Sequence, residues 1–188
     1  MHKDNVLYQL EHADISEAEK WVIKDHLYRR AIRANAHNDF SAFCESVIKS
    51  EEDVNPITNL PQYLDPQLFH REWCEILQSI VTGDAQSQYI APDVAKKLNE
   101  ERRVIILSPR DTGKTSIFTL AFPIWVLGRD PSYRIGIISK SSKQAKRPLA
   151  SMKKYMMSDS DLKMTFPNLV PMPSETNPKK PERWTTEE

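Results

Sequence analysis

Cysteine is almost missing from this chain: Cys44 and Cys74 are the only two in 188 residues. Two cysteines cannot build a disulfide framework or a four-cysteine zinc site. His2, His12, His26, His37 and His70 stand at no metal-ligand spacing from them, so no zinc centre is expected either. Both thiols are expected to act as small buried hydrophobes in a reduced, cytoplasmic compartment. Long apolar runs are missing too, so no membrane-spanning helix and no membrane partner are expected. Met1 is followed by His, Lys and Asp rather than an apolar stretch, and no secretory leader is expected. Nor is there net charge. The 26 basic and 26 acidic side chains cancel, which excludes a nucleic-acid binder that works through a uniformly basic surface. With 39% apolar and 28% charged residues the composition is that of a chain that folds around a core.

The cancellation hides an asymmetry. Residues 1–100 carry 10 Lys/Arg against 17 Asp/Glu, and residues 101–188 carry 16 against 9. The second part is therefore the one suited to an anionic ligand or partner.

Three regions follow from the pattern. Residues 1–60 read as an acidic helical lead-in. Ser16 and Glu19 form a capping-box pair, with Trp21, Leu27 and Ile32 on or near one apolar stripe. A second helix is expected from about Asp39 to Lys49, with Phe43, Val47 and Ile48 turned inward. After a loop marked by Pro56, Pro61 and Pro66, Phe69, Trp73, Ile76, Leu77 and Ile80 recur at helical spacing between Leu68 and Val81. A turn at Gly83-Asp84 and a short helix from Pro92 to Leu98 complete this stretch.

From Glu101 the texture changes to β-branched runs. Arg103–Leu107 and Tyr133–Ser139 have the length and composition of buried parallel strands. Each precedes a helix, Lys114–Leu127 and Ser142–Met157; Pro123 is expected to kink the first, and Gly128 to stop it. The expected fold class is therefore α/β: a parallel sheet, incomplete with only two strands, behind a helical N-terminal region. Residues 61–166 form its core, βαβα from about 101. Residues 167–188 form a Pro-rich connecting segment, with five prolines between 167 and 181 and no packed element expected there.

The chemistry-bearing motif lies between the first expected strand and its helix: Ser108-Pro109-Arg110-Asp111-Thr112-Gly113-Lys114-Thr115. In a phosphate-binding loop successive backbone N–H groups curl around an anion at a helix N-terminus. Gly113 permits close approach of backbone to phosphate, Lys114 reaches the β/γ-phosphates of ATP, and the Thr115 hydroxyl ligates Mg²⁺. Arg110 is placed either to stabilise a transferring γ-phosphoryl group or to pair with a carboxylate or a neighbouring subunit; with this loop the expected sheet is of P-loop NTPase type. Two departures from the glycine-rich form stand out, Ser108 at the usual first glycine and Asp111 two places before Gly113.

A loop of the form Ser-Pro-Arg-x-x-Gly-Lys-Thr resembles the Walker A variant of viral, phage-type terminase large subunits, the ATPases that package DNA into procapsids. Asp39–Phe43, Phe69–Cys74, Asp130-Pro131 with Arg134–Lys140, and Gln144-Ala145 fit the same ordered pattern. This resemblance covers residues 39–188. It implies an ATP- and Mg²⁺-binding hydrolase in which Pro109 to Thr115 cradle the nucleotide and Arg110 and Lys114 serve catalysis. Phe69, His70 and Arg71 would lie near the adenine, for which an aromatic ring or a guanidinium plane is suited. As partners it implies double-stranded DNA, a terminase small subunit, a portal or procapsid and further copies in a homo-oligomer, all in the cytoplasm of a bacteriophage host. Lys140, Lys143, Lys146, Arg147, Lys153 and Lys154 form a basic helix face that suits a DNA backbone.

The pattern also breaks. No apolar run after Thr115 ends in Asp-Glu, so the family's Walker B acid is missing, as are its coupling motif and nuclease domain. The expectation is an N-terminal part of such a subunit with little or no ATP hydrolysis of its own. The alternatives are a truncated, non-catalytic nucleotide-binding or interaction module and another P-loop NTPase of helicase-like type.

Overall fold

In the computed structural model, residues 10–54, 61–85, 88–172 and 183–186 are described. The order is α1 (Glu17–Arg33), α2 (Phe40–Ser46), β1 (Lys49–Val54), β2 (Pro61–Tyr63), α3 (Leu68–Thr82) and α4 (Pro92–Glu101). After the loop come α5 (Thr115–Ala121), α6 (Phe122–Arg129), α7 (Ser142–Ser158), α8 (Ser160–Thr165), β3 (Leu169–Met172) and β4 (Arg183–Thr186).

The caps behave as their residue types dictate. Ser16 accepts from the Glu19 amide at 3.2 Å and the Glu19 carboxylate accepts from the Ser16 amide at 2.9 Å, a complete capping box. Asp39, Ser141 and Asp159 cap α2, α7 and α8 through their side-chain oxygens. The α1 stripe is shallower than its sequence suggests: Trp21 is exposed and no residue of the helix is buried. Arginine fastens α1 instead, Arg29 Nη1 donating to the Glu45 carbonyl (2.6 Å) and Arg33 Nη2 to that of Ser46 (3.0 Å).

The core is helical. Phe40, Phe43, Val47 and Ile48 of α2 and its exit, Trp73 and Leu77 of α3, and Met152 and Met156 of α7 surround Ile117, Ile124 and Trp125 of α5–α6. Trp125 stacks obliquely on Phe40 at 5.3 Å, and its indole N–H donates to the Ala36 carbonyl at 3.0 Å. Cys44 and Cys74 lie together inside this core with their sulfurs 3.9 Å apart, and burial pushes the Cys44 thiol far up.

α5 is wound as a π-helix and runs directly into α6. The Phe122 amide bonds the Ile117 carbonyl five residues back, just ahead of Pro123, whose ring has no N–H to give. Gly128 does not stop the helix; Asp130 is the C-cap. Glycine is required at 128 for another reason: a Cβ there would sit 2.5 Å from the buried Phe166 ring.

The expected α/β parallel sheet does not form. Neither Arg103–Leu107 nor Tyr133–Ser139 is a strand. The strands of the described residues pair as two separate antiparallel ribbons, β1 with β2 and β3 with β4. A parallel strand needs hydrogen-bonded neighbours and cover on both faces, and here the helices supply cover on one side only. Ile106 and Ile137 pack against the core, while Ile105, Leu107 and Ile138 are 89%, 92% and 97% exposed. A second correction concerns 167–181, where no packed element was expected. Leu169–Met172 pairs there with Arg183–Thr186 in register, and Leu169 is buried.

Candidate phosphate-binding site

The loop's shape begins with two backbone conformations. Asp111 and Gly113 both adopt positive φ, 59° and 71°. Alternation of left-handed residues with ordinary ones turns successive N–H groups toward one side, the geometry of an anion-binding nest. Asp tolerates the left-handed region better than most side chains, which accounts for its place where a helicase-type loop carries glycine.

The hydrogen bonds that hold the loop draw on side-chain donors. The Thr112 hydroxyl donates to the Pro109 carbonyl at 3.1 Å and shares a 2.6 Å bond with the Ser108 hydroxyl. The Lys114 ammonium donates to the Ser108 carbonyl at 3.3 Å and also to the Pro109 carbonyl. None of these bonds takes an amide N–H of residues 110–114. An arriving anion would thus find the amides available and need only draw Lys114 off two neutral carbonyls.

His70 fixes the loop from α3. Its Nδ1 accepts from the Gln67 amide at 3.0 Å, so its Nε2 carries the proton and donates to the Thr112 carbonyl at 2.8 Å. A Cβ at Gly113 would meet this same Nε2 at 3.5 Å, ordinary contact. The demand for glycine at 113 therefore comes from its φ.

The loop forms one wall of a cavity of about 890 Å³ that contains Arg110, Asp111, Thr112, Gly113, Lys114 and Thr115 in its lining. Gln62 to Asp65 face it from β2 and its exit, and Arg147, Pro148 and Ser151 from α7. The space suits a nucleotide-sized ligand. Of the residues expected near adenine, His70 touches the loop from behind. Phe69 is 41% exposed, with its ring centroid 3.9 Å from that of His70 and 5.2 Å from that of Trp73. Arg71 points elsewhere: Nη2 pairs with Glu45 at 3.1 Å and Nη1 donates to Ser41 at 3.4 Å, beside a separate cavity of about 300 Å³.

The cavity's cations differ in how far they are committed. Lys49 is held by Asp159 at 2.8 Å and Asp161 at 2.7 Å, and Asp161 also takes Arg33 at 2.8 Å and the Tyr63 hydroxyl at 2.6 Å. Burial alone would raise the Asp161 carboxyl. Hydrogen bonds from Lys49 and Tyr63, with the charges of Lys49 and Arg33, outweigh that and hold it below the usual carboxylate range. Arg110 and Arg147, by contrast, make no ion pair or side-chain hydrogen bond among the described residues, and both are exposed.

For Mg²⁺ the donor set is thin and oxygen-only: the Thr115 hydroxyl at the start of α5, with Asp65 and Asp111 also in the lining. Among the described residues no cluster of three or more His, Cys, Asp or Glu could hold a metal by itself. That fits a magnesium ion carried largely by phosphate oxygens and water, and does not fit a resident metal cage. Among the described residues no helix is long and apolar enough to cross a membrane.

No family model, no curated protein and no solved structure matches this chain. Two contributors to the site were missed from the sequence. Tyr63 and its neighbours enter through the pairing of β2 with β1, for which no periodicity gave a signal. Arg147 is, on the sequence, one member of a basic helix face, and the Pro148 that follows it is the local feature that sets it apart.

Proposed function

We propose that the chain binds ATP with Mg²⁺ through the loop Ser108–Thr115, and that it belongs to the ATP-driven DNA-packaging motor of a terminase large subunit. The reading rests on local chemistry, since the sheet expected to carry the loop is not there, and function belongs to sites more than to folds. One observation supports it above the others: the left-handed pair Asp111 and Gly113, with Lys114 one residue on, lines a nucleotide-sized cavity at the head of a helix that Ile117 and Ala121 seat in the core. In this reading the loop amides and Lys114 take the phosphates. Thr115 takes the metal, which when bound neutralises phosphate charge. Arg110 lies over the outer phosphate. The ordered resemblance along residues 39–188 extends the reading to double-stranded DNA, a small subunit and a portal as partners. The exposed lysines 143, 146 and 153 of α7 are the surface suited to a nucleic-acid backbone.

Isothermal titration with Mg·ATP tests the nucleotide assignment. The wild-type chain should bind, and Lys114→Ala should lose that binding while its melting temperature stays close to wild type. An unchanged affinity in Lys114→Ala would sink the assignment.

A further inference from the structure

We infer that Arg147 of α7 is a second phosphate-contacting residue, reaching a nucleoside triphosphate from the α7 part of the cavity that the loop also lines; this rests on the nucleotide reading above. Six residues of the loop and three of α7 line the same cavity, and α7 packs on α5, the helix that the loop opens. Of the four cations in the lining, Lys49 is neutralised by two aspartates, and Lys114 bonds carbonyls within the loop. That leaves Arg110 and Arg147, one from the loop and one from α7, as guanidinium groups with no ion pair or side-chain hydrogen bond among the described residues. A guanidinium is the side chain best matched to phosphate, offering two parallel N–H donors.

Arg147 is distinct from the lysines around it. Lys143 and Lys146 are exposed on the same helix but do not line the cavity. Pro148, next in sequence and itself in the lining, removes one backbone N–H from the helix beside this arginine. The other face of α7 is anchored in the core by Met152, Tyr155 and Met156. A phosphate held between Arg110 and Arg147 would therefore fasten α7 to the loop, so that the occupied site is one rigid clamp.

The experiment is titration of Mg·ATP into wild type, Arg147→Ala, Arg147→Lys and Lys143→Ala at one salt concentration, with thermal melts of each. Arg147→Ala should weaken binding roughly ten- to a hundredfold, the loss of a charge-assisted contact. Arg147→Lys should recover part of it, and Lys143→Ala should stay within about twofold. Wild-type affinity in Arg147→Ala, with Lys114→Ala inactive in binding, would overturn the clamp and leave the nucleotide reading standing. Equal losses in Arg147→Ala and Lys143→Ala would also overturn it, since that pattern belongs to the diffuse field of a basic helix. No binding by wild type would overturn both.

Discussion

Ile117 and Ile105 are the same residue twelve positions apart, yet one is wholly buried and the other 89% exposed. Ile117 sits in one buried cluster with Phe40 and Phe43 of α2, Trp73 of α3 and Met152 of α7. Ile105 lies in a run without regular secondary structure, next to Ile106, which packs against the core. The contrast extends along both segments. Ile106 and Ile137 touch the core, while their neighbours Leu107 and Ile138 face outward. Apolar composition fixes which residues would gain from burial; coverage depends on which partners the chain provides. The helical region brings its own partners and the two irregular runs do not.

The sharpest way to break this contrast is to truncate both isoleucines. Ile117→Ala should cost about 2–5 kcal/mol, the usual range for a large-to-small change in a packed core. Ile105→Ala should stay within about 0.5 kcal/mol, as for other exposed positions. Urea unfolding followed by far-ultraviolet circular dichroism reads both, and a large loss at Ile105 would show that something covers it in solution.

Next in size is the polar strap between α1, β1, β2 and α8. Asp161→Asn leaves Lys49 and Arg33 without a shared carboxylate and should cost about 3 kcal/mol. The pH dependence has a definite sign. The folded Asp161 carboxyl lies below its unfolded value, so its contribution is fully present above about pH 4 and disappears as pH falls through the lowered value. The stability gap between wild type and Asp161→Asn should therefore be constant near neutrality and shrink in acid. A gap that widened in acid would assign the effect to another group.

Much of the helical part was legible because it is decided locally. Ser16 with Glu19, and Phe43, Trp73, Ile76 and Leu77 at helical spacing, carry their information within one or two turns. The two runs at 103–107 and 133–139 were misread because a buried-strand composition states a requirement that only distant elements can meet. The Lys49–Asp159–Asp161 strap joins positions about a hundred residues apart, beyond any local signal. In the site, Gly113, Lys114 and Thr115 were legible as a motif. The left-handed φ of Asp111, the tautomer that Gln67 and Thr112 impose on His70, and the place of Arg147 in the lining of the loop's cavity all needed three dimensions. Arg71 shows the converse: its guanidinium plane suits a base, but Glu45 and Ser41 already hold it.

Amide hydrogen exchange with and without Mg·ATP is the most direct test of the central claim, that the loop amides cradle phosphate. The account predicts slower exchange at residues 110–115 on nucleotide addition, with protection also at 147–151 and little change across 103–107. Unaltered exchange in the loop at saturating Mg·ATP would contradict it.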